Sequence, residues 1–405
     1  MSIQSAMYSG ISGLYTNGEG MSVIGNNISN VNTIGFKEGR SLFSDMLSTT
    51  INQGQVGRGE QIQAVQNIYS QGSFENTGSA TDLAIQGDGM FVLADSNGTG
   101  HFYSRAGAFN FDKNKILTNA DGNQVLGFGI RNGAPDGVLA PINLTNFANV
   151  PPKITGTVGI VANLDATQTP PAQVWDPTLA NFNPNLASNF STSSTVYDIQ
   201  GNAKSLSIYF RNTGANTWEA YTYDGTTYTA AGAGIPITFN PNGSLASVNG
   251  VAGATTLATN GLTLDISGTT QYTSSSIVFS QTQDGYAAGN LTKVTVDDKG
   301  FVNGMYTNGQ EQKLAQVAVA RFASTVGLEK LGGSLYGDTV ASGTALISSS
   351  NTDSNKVLSN SLEQSNVDMA DQLVKMITTQ RAYSANSKTI TSADQMMQDT
   401  LNLVR

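Results

Sequence analysis

Few residues in this chain have the types and spacing that chemistry requires. His101 is the only histidine and there is no cysteine. A histidine-based triad or histidine metal cluster has nothing to build on beyond that one residue, and disulfides and thiolate metal sites are excluded. His101 stands beside Phe102 and Tyr103 in a stretch that reads as strand. Asp112-Lys113-Asn114 opens as a calcium loop would. The pattern then needs Asp or Asn followed by Gly, and Ile116-Leu117 stands there instead, so a hairpin turn is expected. Gly127-Phe128-Gly129 followed by Gly133 opens no helix, unlike a dinucleotide site. Asp297-Asp298 falls in an evident turn. Asn97-Gly98-Thr99 is discounted as a glycan acceptor. No cofactor, metal or catalytic residue is expected, and the chain does not read as an enzyme.

Composition points to assembly. Only 12% of the 405 residues are charged, and the net charge is −9. Typical soluble domains carry about twice that charged fraction. An acidic chain without a Lys/Arg cluster is not expected to bind nucleic acid or an anionic membrane surface. No apolar run is long enough to span a membrane. The start, MSIQSAMYSG, lacks a basic region and a continuous apolar core, so export would use a route without a cleaved signal peptide.

The elements that would position an assembly surface lie at the ends. Residues 1–31 read as a helix in which Met7, Leu14, Met21 and Ile28 recur every seventh position, with Ile24 and Val31 beside them. That is half of a coiled-coil seam. Glu19 is the only charge before Lys37, and Gly10, Gly13, Gly18, Gly20 and Gly25 weaken the helix. Each glycine costs roughly 1 kcal/mol against alanine, so partners on several sides are required. Residues 361–403 read as a second long helix. Met369, Met376, Tyr383, Ile390, Met397 and Val404 again recur by seven, and Leu373, Ile377, Ala393 and Leu401 widen the stripe. Asp368 and Asp371 at its start and Arg405 at its end suit the helix dipole.

Between the ends the period falls to two. Asp82 to Ile85, a turn, and Met90 to Leu93 read as strand, turn, strand, and Phe109 to Leu126 as a meander. The expected fold is mainly β with a terminal α-helical coiled coil, nested in layers. Residues 1–31 and 361–405 form the helical assembly domain; 32–70 and 325–360 are extended connectors. Residues 71–145 and 285–324 form a first β-domain, and 146–284 an inserted outer β-domain. Asn26, Asn27 and Asn30 fall off the seam and are expected to face neighbouring chains. Gly35 is placed to end the helical region, and Phe36-Lys37 to begin a segment lying against other subunits. The competing expectation is that both helices pack on the β-domain as ordinary core.

Four stretches carry a family resemblance. They are Ile24 to Lys37 (IGNNISNVNTIGFK), Thr77 to Phe91, Tyr103 to Phe109 with Gly122 to Gly127, and Leu362 to Asp368 leading to Gln380-Arg381-Ala382-Tyr383. In this order they resemble the bacterial flagellar rod and hook family; the inserted segment carries no comparable motif, but rod proteins of the family lack so large an insertion, which makes the hook branch the nearer resemblance. The resemblance implies a structural subunit exported through the flagellar type III apparatus. Many copies would form a curved hollow tube that couples motor torque flexibly from rod to filament. It implies contacts with rod, hook cap and hook–filament junction proteins, and an extracellular position in the flagellum. The assembly interface it implies comprises Met7, Leu14, Met21, Ile24, Asn26, Asn27, Ile28, Asn30, Val31, Phe36 and Lys37, with Met369, Leu373, Met376, Tyr383, Ile390, Met397 and Leu401. A straight distal-rod-like protein and a secreted β-rich adhesin or wall-active enzyme are the alternatives.

Overall fold

In the computed structural model the two ends are helical and the intervening segments are mainly strand. The structure describes residues 3–51, 54–96, 98, 100–131, 133–228, 234–259, 261–349 and 355–403. Val404 and Arg405, assigned above to the seam and the dipole, lie outside them. So do Asn97 and Thr99; that triplet has Thr two residues after Asn, the spacing of a glycan acceptor, and its exclusion is withdrawn. The α-helices are α1 (Ile3–Ser29), α2 (Pro184–Ala187) and α3 (Met369–Leu403). The chain divides into two compact units. The first contains Met1–Phe147, Lys293–Met305 and Glu311–Arg405, the second Ala148–Thr292 and Tyr306–Gln310.

Within the first unit α1 and α3 run antiparallel. Gly10 faces Ile390, Gly13 faces Asn386, and Asn27 bonds to Gln372. The glycines are there for contact: a Cβ on Gly10 would stand 2.8 Å from Ile390 Cγ1, and one on Gly13 would meet the Asn386 carboxamide. α3 begins at Met369 rather than at 361. Asp368 Oδ1 accepts from the Ala370 and Asp371 amides, the N-cap arrangement. Ser361–Glu363 upstream is a strand paired with Phe74–Asn76.

The expected connectors are paired structure. Gly39–Ile51 (β1) and Gly54–Asn67 (β2) form a long antiparallel hairpin. It lies along α1, where Thr16 donates to Glu60 Oε1 at 2.6 Å. The stretch from 329 to 359 contributes strands to the β-domain. Leu346–Ser349 pairs with Glu311–Arg321, and Asn355–Ser359 with β4 (Leu83–Gly87), β3 being Phe74–Asn76. The expected strand, turn and strand are present, but the two strands do not pair as a hairpin. β4 does not fold back on β5 (Met90–Ala94), which pairs instead with β6 (His101–Ser104). Both strands were legible from their apolar residues, but partner choice depends on segments more than two hundred residues away. Leu83, Ile85, Phe91, Leu93, Phe109, Val317, Val319 and Val357 fill the core, with Phe91 and Phe109 edge-on at 5.1 Å.

The meander stands: β7 (Asn110–Phe111), β8 (Leu117–Thr118) and β9 (Gln124–Arg131) pair in succession. Its turns are closed by side-chain oxygens. Asp112 Oδ1 accepts from the Asn114 and Ile116 amides, both at 2.8 Å. Asn119 and Asp297 close their turns in the same way. The carboxylates are spent on backbone donors.

The second unit is a two-sheet sandwich. One sheet runs from Phe190–Tyr197 through Ala203–Gly214 and Thr217–Tyr223 to Val251–Ala252, all antiparallel. The other centres on Thr157–Asp165, where Val158, Ile160, Ala162 and Leu164 point inward at period two. They meet Ile208, Phe210, Trp218 and Ile237 of the first sheet.

Candidate functional site

Three charged residues, distant in sequence, meet in the first unit with almost no exposure to solvent. Lys37 Nζ lies 2.6 Å from Glu363 Oε1, and Arg105 Nη1 3.2 Å from Glu363 Oε2. The carboxylate has a further partner through one of its oxygens. Glu363 Oε1 also accepts from the Gly72 amide at 3.0 Å. Lys37 donates to Ser70 O at 2.8 Å, while Arg105 donates to Ile85 O and Gly87 O at 3.2 and 2.6 Å. Burial pulls the Lys37 ammonium below its usual range, and the Glu363 carboxylate opposes that pull. Such a cluster costs desolvation energy that its pairing must offset, and Arg105 Nε is buried without a hydrogen-bond partner.

Backbone placement explains why these positions meet. Gly35 adopts a left-handed φ of +68°, and its amide donates to Glu363 O at 2.8 Å. A Cβ there would stand 2.5 Å from the Ala106 amide nitrogen, so only glycine lets this segment touch the one that carries Arg105. Asn366 completes the junction: its Oδ1 accepts from the Glu38 amide and its Nδ2 donates to Ile68 O, each at 2.8 Å. The chain leaving α1, the chain entering α3 and the β-domain are thus tied at one point.

A second clamp sits one turn inside the helices. Asn27 is buried, and its carboxamide both donates to Gly39 O (2.8 Å) and accepts from the Gly39 amide (2.9 Å). It also donates to Gln372 Oε1 at 3.1 Å, and Gln372 in turn donates to Glu38 Oε1 at 2.7 Å.

The structure separates the expected interface residues. Lys37 is sealed inside its own chain, as is Asn27. Asn26 and Asn30 bond to each other at 2.9 Å near the helix end, and Lys330 Nζ covers the Phe36 ring at 5.0 Å. Ile24 is buried, while Met7, Leu14, Met21, Ile28 and Val31 are half-buried. On α3, Met376 and Ile390 are half-buried on the side that meets α1. Met369, Leu373, Tyr383, Met397 and Leu401 are exposed. Gly35 follows a short series of turns after Ser29, so it shapes the junction rather than ending the helix.

Arg105, Glu363, Asn366 and Gln372 escaped sequence reasoning, although three of them lie in stretches already singled out. The available signal was a charge standing alone in a charge-poor, glycine-rich segment. Among the described residues no group of acidic and histidine side chains could hold a metal, and no helix is long and apolar enough to cross a membrane. The geometry fastens both chain ends to the β-domain.

Comparison with known proteins agrees along the whole chain. Residues 7–37 match the flagella basal body rod protein family and 84–161 the flagellar hook protein FlgE/F/G D1 domain. Residues 163–286 match the flagellar basal body protein FlaE D2 domain, and 358–403 the flagellar basal body rod FlgEFG protein C-terminal family. The flagellar hook protein FlgE of Escherichia coli (strain K12) is 36% identical over 97% of this chain and 98% of its own length. That of Treponema pallidum (strain Nichols) is 34% identical over 99% of both. The crystal structure of Helicobacter pylori flagellar hook protein FlgE2 shares the fold, with a TM-score of 0.50 at 14% identity, over 70% of this chain and 98% of that one. The chain therefore belongs to the flagellar hook protein family, whose members are structural proteins of the flagellum.

Proposed function

We propose that the chain is the repeating subunit of a curved, hollow hook tube that couples rod to filament flexibly. The observation that carries this is the apolar surface left open on both helices. Tyr8, Ile11 and Tyr15 recur at spacings of three and four on α1 and are at least half exposed. Leu373, Val374, Ile377, Met396, Met397 and Leu401 are exposed on α3. A monomer gains nothing from that pattern, whereas copies of itself would cover it. Contacts between unlike faces do not close, and so build helices.

In this reading the helices line the channel and the β-units build the wall. Met7, Leu14, Met21, Ile28, Met369, Tyr383, Met397 and Leu401 complete their burial only in the polymer. The buried junction then passes load from the helices into the β-domain. Rod, hook cap and hook–filament junction proteins are the neighbours at the tube's ends, and the flagellar type III apparatus exports the chain. Electron microscopy of the purified chain, concentrated in polymer-promoting salt, tests the reading. Curved hollow tubes are expected. Straight tubes would favour a distal-rod role, and monodisperse particles under all such conditions would oppose both.

A further inference from the structure

We infer that the groove between α1 and the β1–β2 hairpin seats the outward face of α3 from a second copy of this chain. The inference rests on the polymer reading and adds which surfaces meet. The groove has a volume of about 480 Å³ and is lined by Tyr15, Glu19, Val23, Met46, Glu60 and Ile62 among others. Tyr15, Val23, Met46, Ile62 and Val65 give it apolar lining, and its charged lining residues, Glu19 and Glu60, are both acidic. Glu60 is fixed in place by Thr16 and Asn17, which donate to its Oε1 at 2.6 and 3.4 Å.

The complementary shape is on α3. Its inner side, with Gln372, Asn386 and Ile390, meets α1 of the same chain. Val374, Ile377, Arg381 and Lys388 fall at helical spacing on the opposite side. Val374 and Ile377 are 60% and 50% exposed, and Arg381 and Lys388 are exposed as well. Two apolar residues followed by two cations thus face away from α1, and a partly apolar groove lined by two carboxylates lies along α1 itself. The ridge cannot turn into its own groove, because the inner side of α3 is already held by Gly10, Gly13 and Asn27. A ridge on one copy and a groove on the next make a contact between unlike faces, which repeats without closing.

Charge reversal in the full-length chain tests this, at physiological ionic strength where screening is incomplete. Glu19→Arg and Arg381→Glu are made singly and together. Circular dichroism of the monomers checks that helix content is kept. Each single variant should lower the yield of pelletable tubes about tenfold, since it sets like charges against each other. The double variant should restore the yield to within about twofold of the unchanged chain, because the pair is then merely exchanged. Single variants that polymerise like the unchanged chain, or a double variant no better than either single, would overturn the inference and leave the polymer reading intact. Failure of the unchanged chain to form tubes would remove the polymer reading and this inference with it.

Discussion

Lys37 and Glu363 stand 326 residues apart in sequence and 2.6 Å apart in space, in a contact closed to solvent. That contact joins the exit of the first terminal helix to the entry of the last. Deleting one partner leaves a buried charge unmatched, at a cost of about 3–5 kcal/mol. Glu363→Ala strands both Lys37 and Arg105, whereas Lys37→Met leaves Glu363 with Arg105 and the Gly72 amide. Glu363→Ala should therefore be the more damaging. Hydrogen exchange across Asn355–Glu363 measures it, and equal effects would count against the three-way cluster.

Asn27 holds the β1–β2 hairpin against α1 by two bonds to one residue, Gly39. Asn27→Ala leaves those buried backbone groups without partners, costing about 1–3 kcal/mol. Proteolysis within residues 39–67 should quicken by roughly tenfold or more. An unchanged cleavage rate would show that the hairpin is held by other contacts.

Two glycines of α1 should respond oppositely to alanine. Gly10 abuts Ile390 Cγ1 and the Asn386 backbone carbonyl, so Gly10→Ala forces the helices apart at about 1–3 kcal/mol. Nothing approaches within 4 Å of a Cβ on Gly18. Gly18→Ala should therefore stabilise the monomer's helix by about 1 kcal/mol. Thermal melts followed at helical wavelengths would distinguish the two.

Alkaline pH should destabilise the first unit. Burial pushes the Tyr69 and Tyr103 phenols up from 10.0 to about 12. The folded state then holds protons that the unfolded state releases, so stability is intact below pH 10 and lost as pH rises toward 12. Lys37 works with the opposite sign: its lowered value makes the folded chain shed a proton first, so its term gains stability with rising pH. Tyr69→Phe should flatten the alkaline loss of melting temperature, and Lys37→Met should steepen it.

Heptad spacing revealed both helices, and period-two runs revealed strands such as Thr157–Asp165, because those patterns are local. Pairing was not local. β4 reads as half of a hairpin with β5, yet its partner is Asn355–Ser359, chosen by the burial of Val357 against Leu83 and Ile85. The asparagines after Ile24 read as contacts for neighbours because carboxamides off an apolar seam have no other evident use. Asn27 found Gly39 and Gln372 instead, a use that depends on where a hairpin and a distant helix arrive. Lys37 likewise read as surface, since nothing local announces that Glu363 and Arg105 converge on it.

The central claim is that the terminal helices complete their burial only between copies. Hydrogen–deuterium exchange of Ile3–Ser29 and Met369–Leu403, compared in monomer and tube, tests it most directly. The account predicts rapid exchange in the monomer and strong protection in the tube, while the core strands around Phe91 and Val319 change little. Helices equally protected in both states, or equally exposed in both, would contradict it.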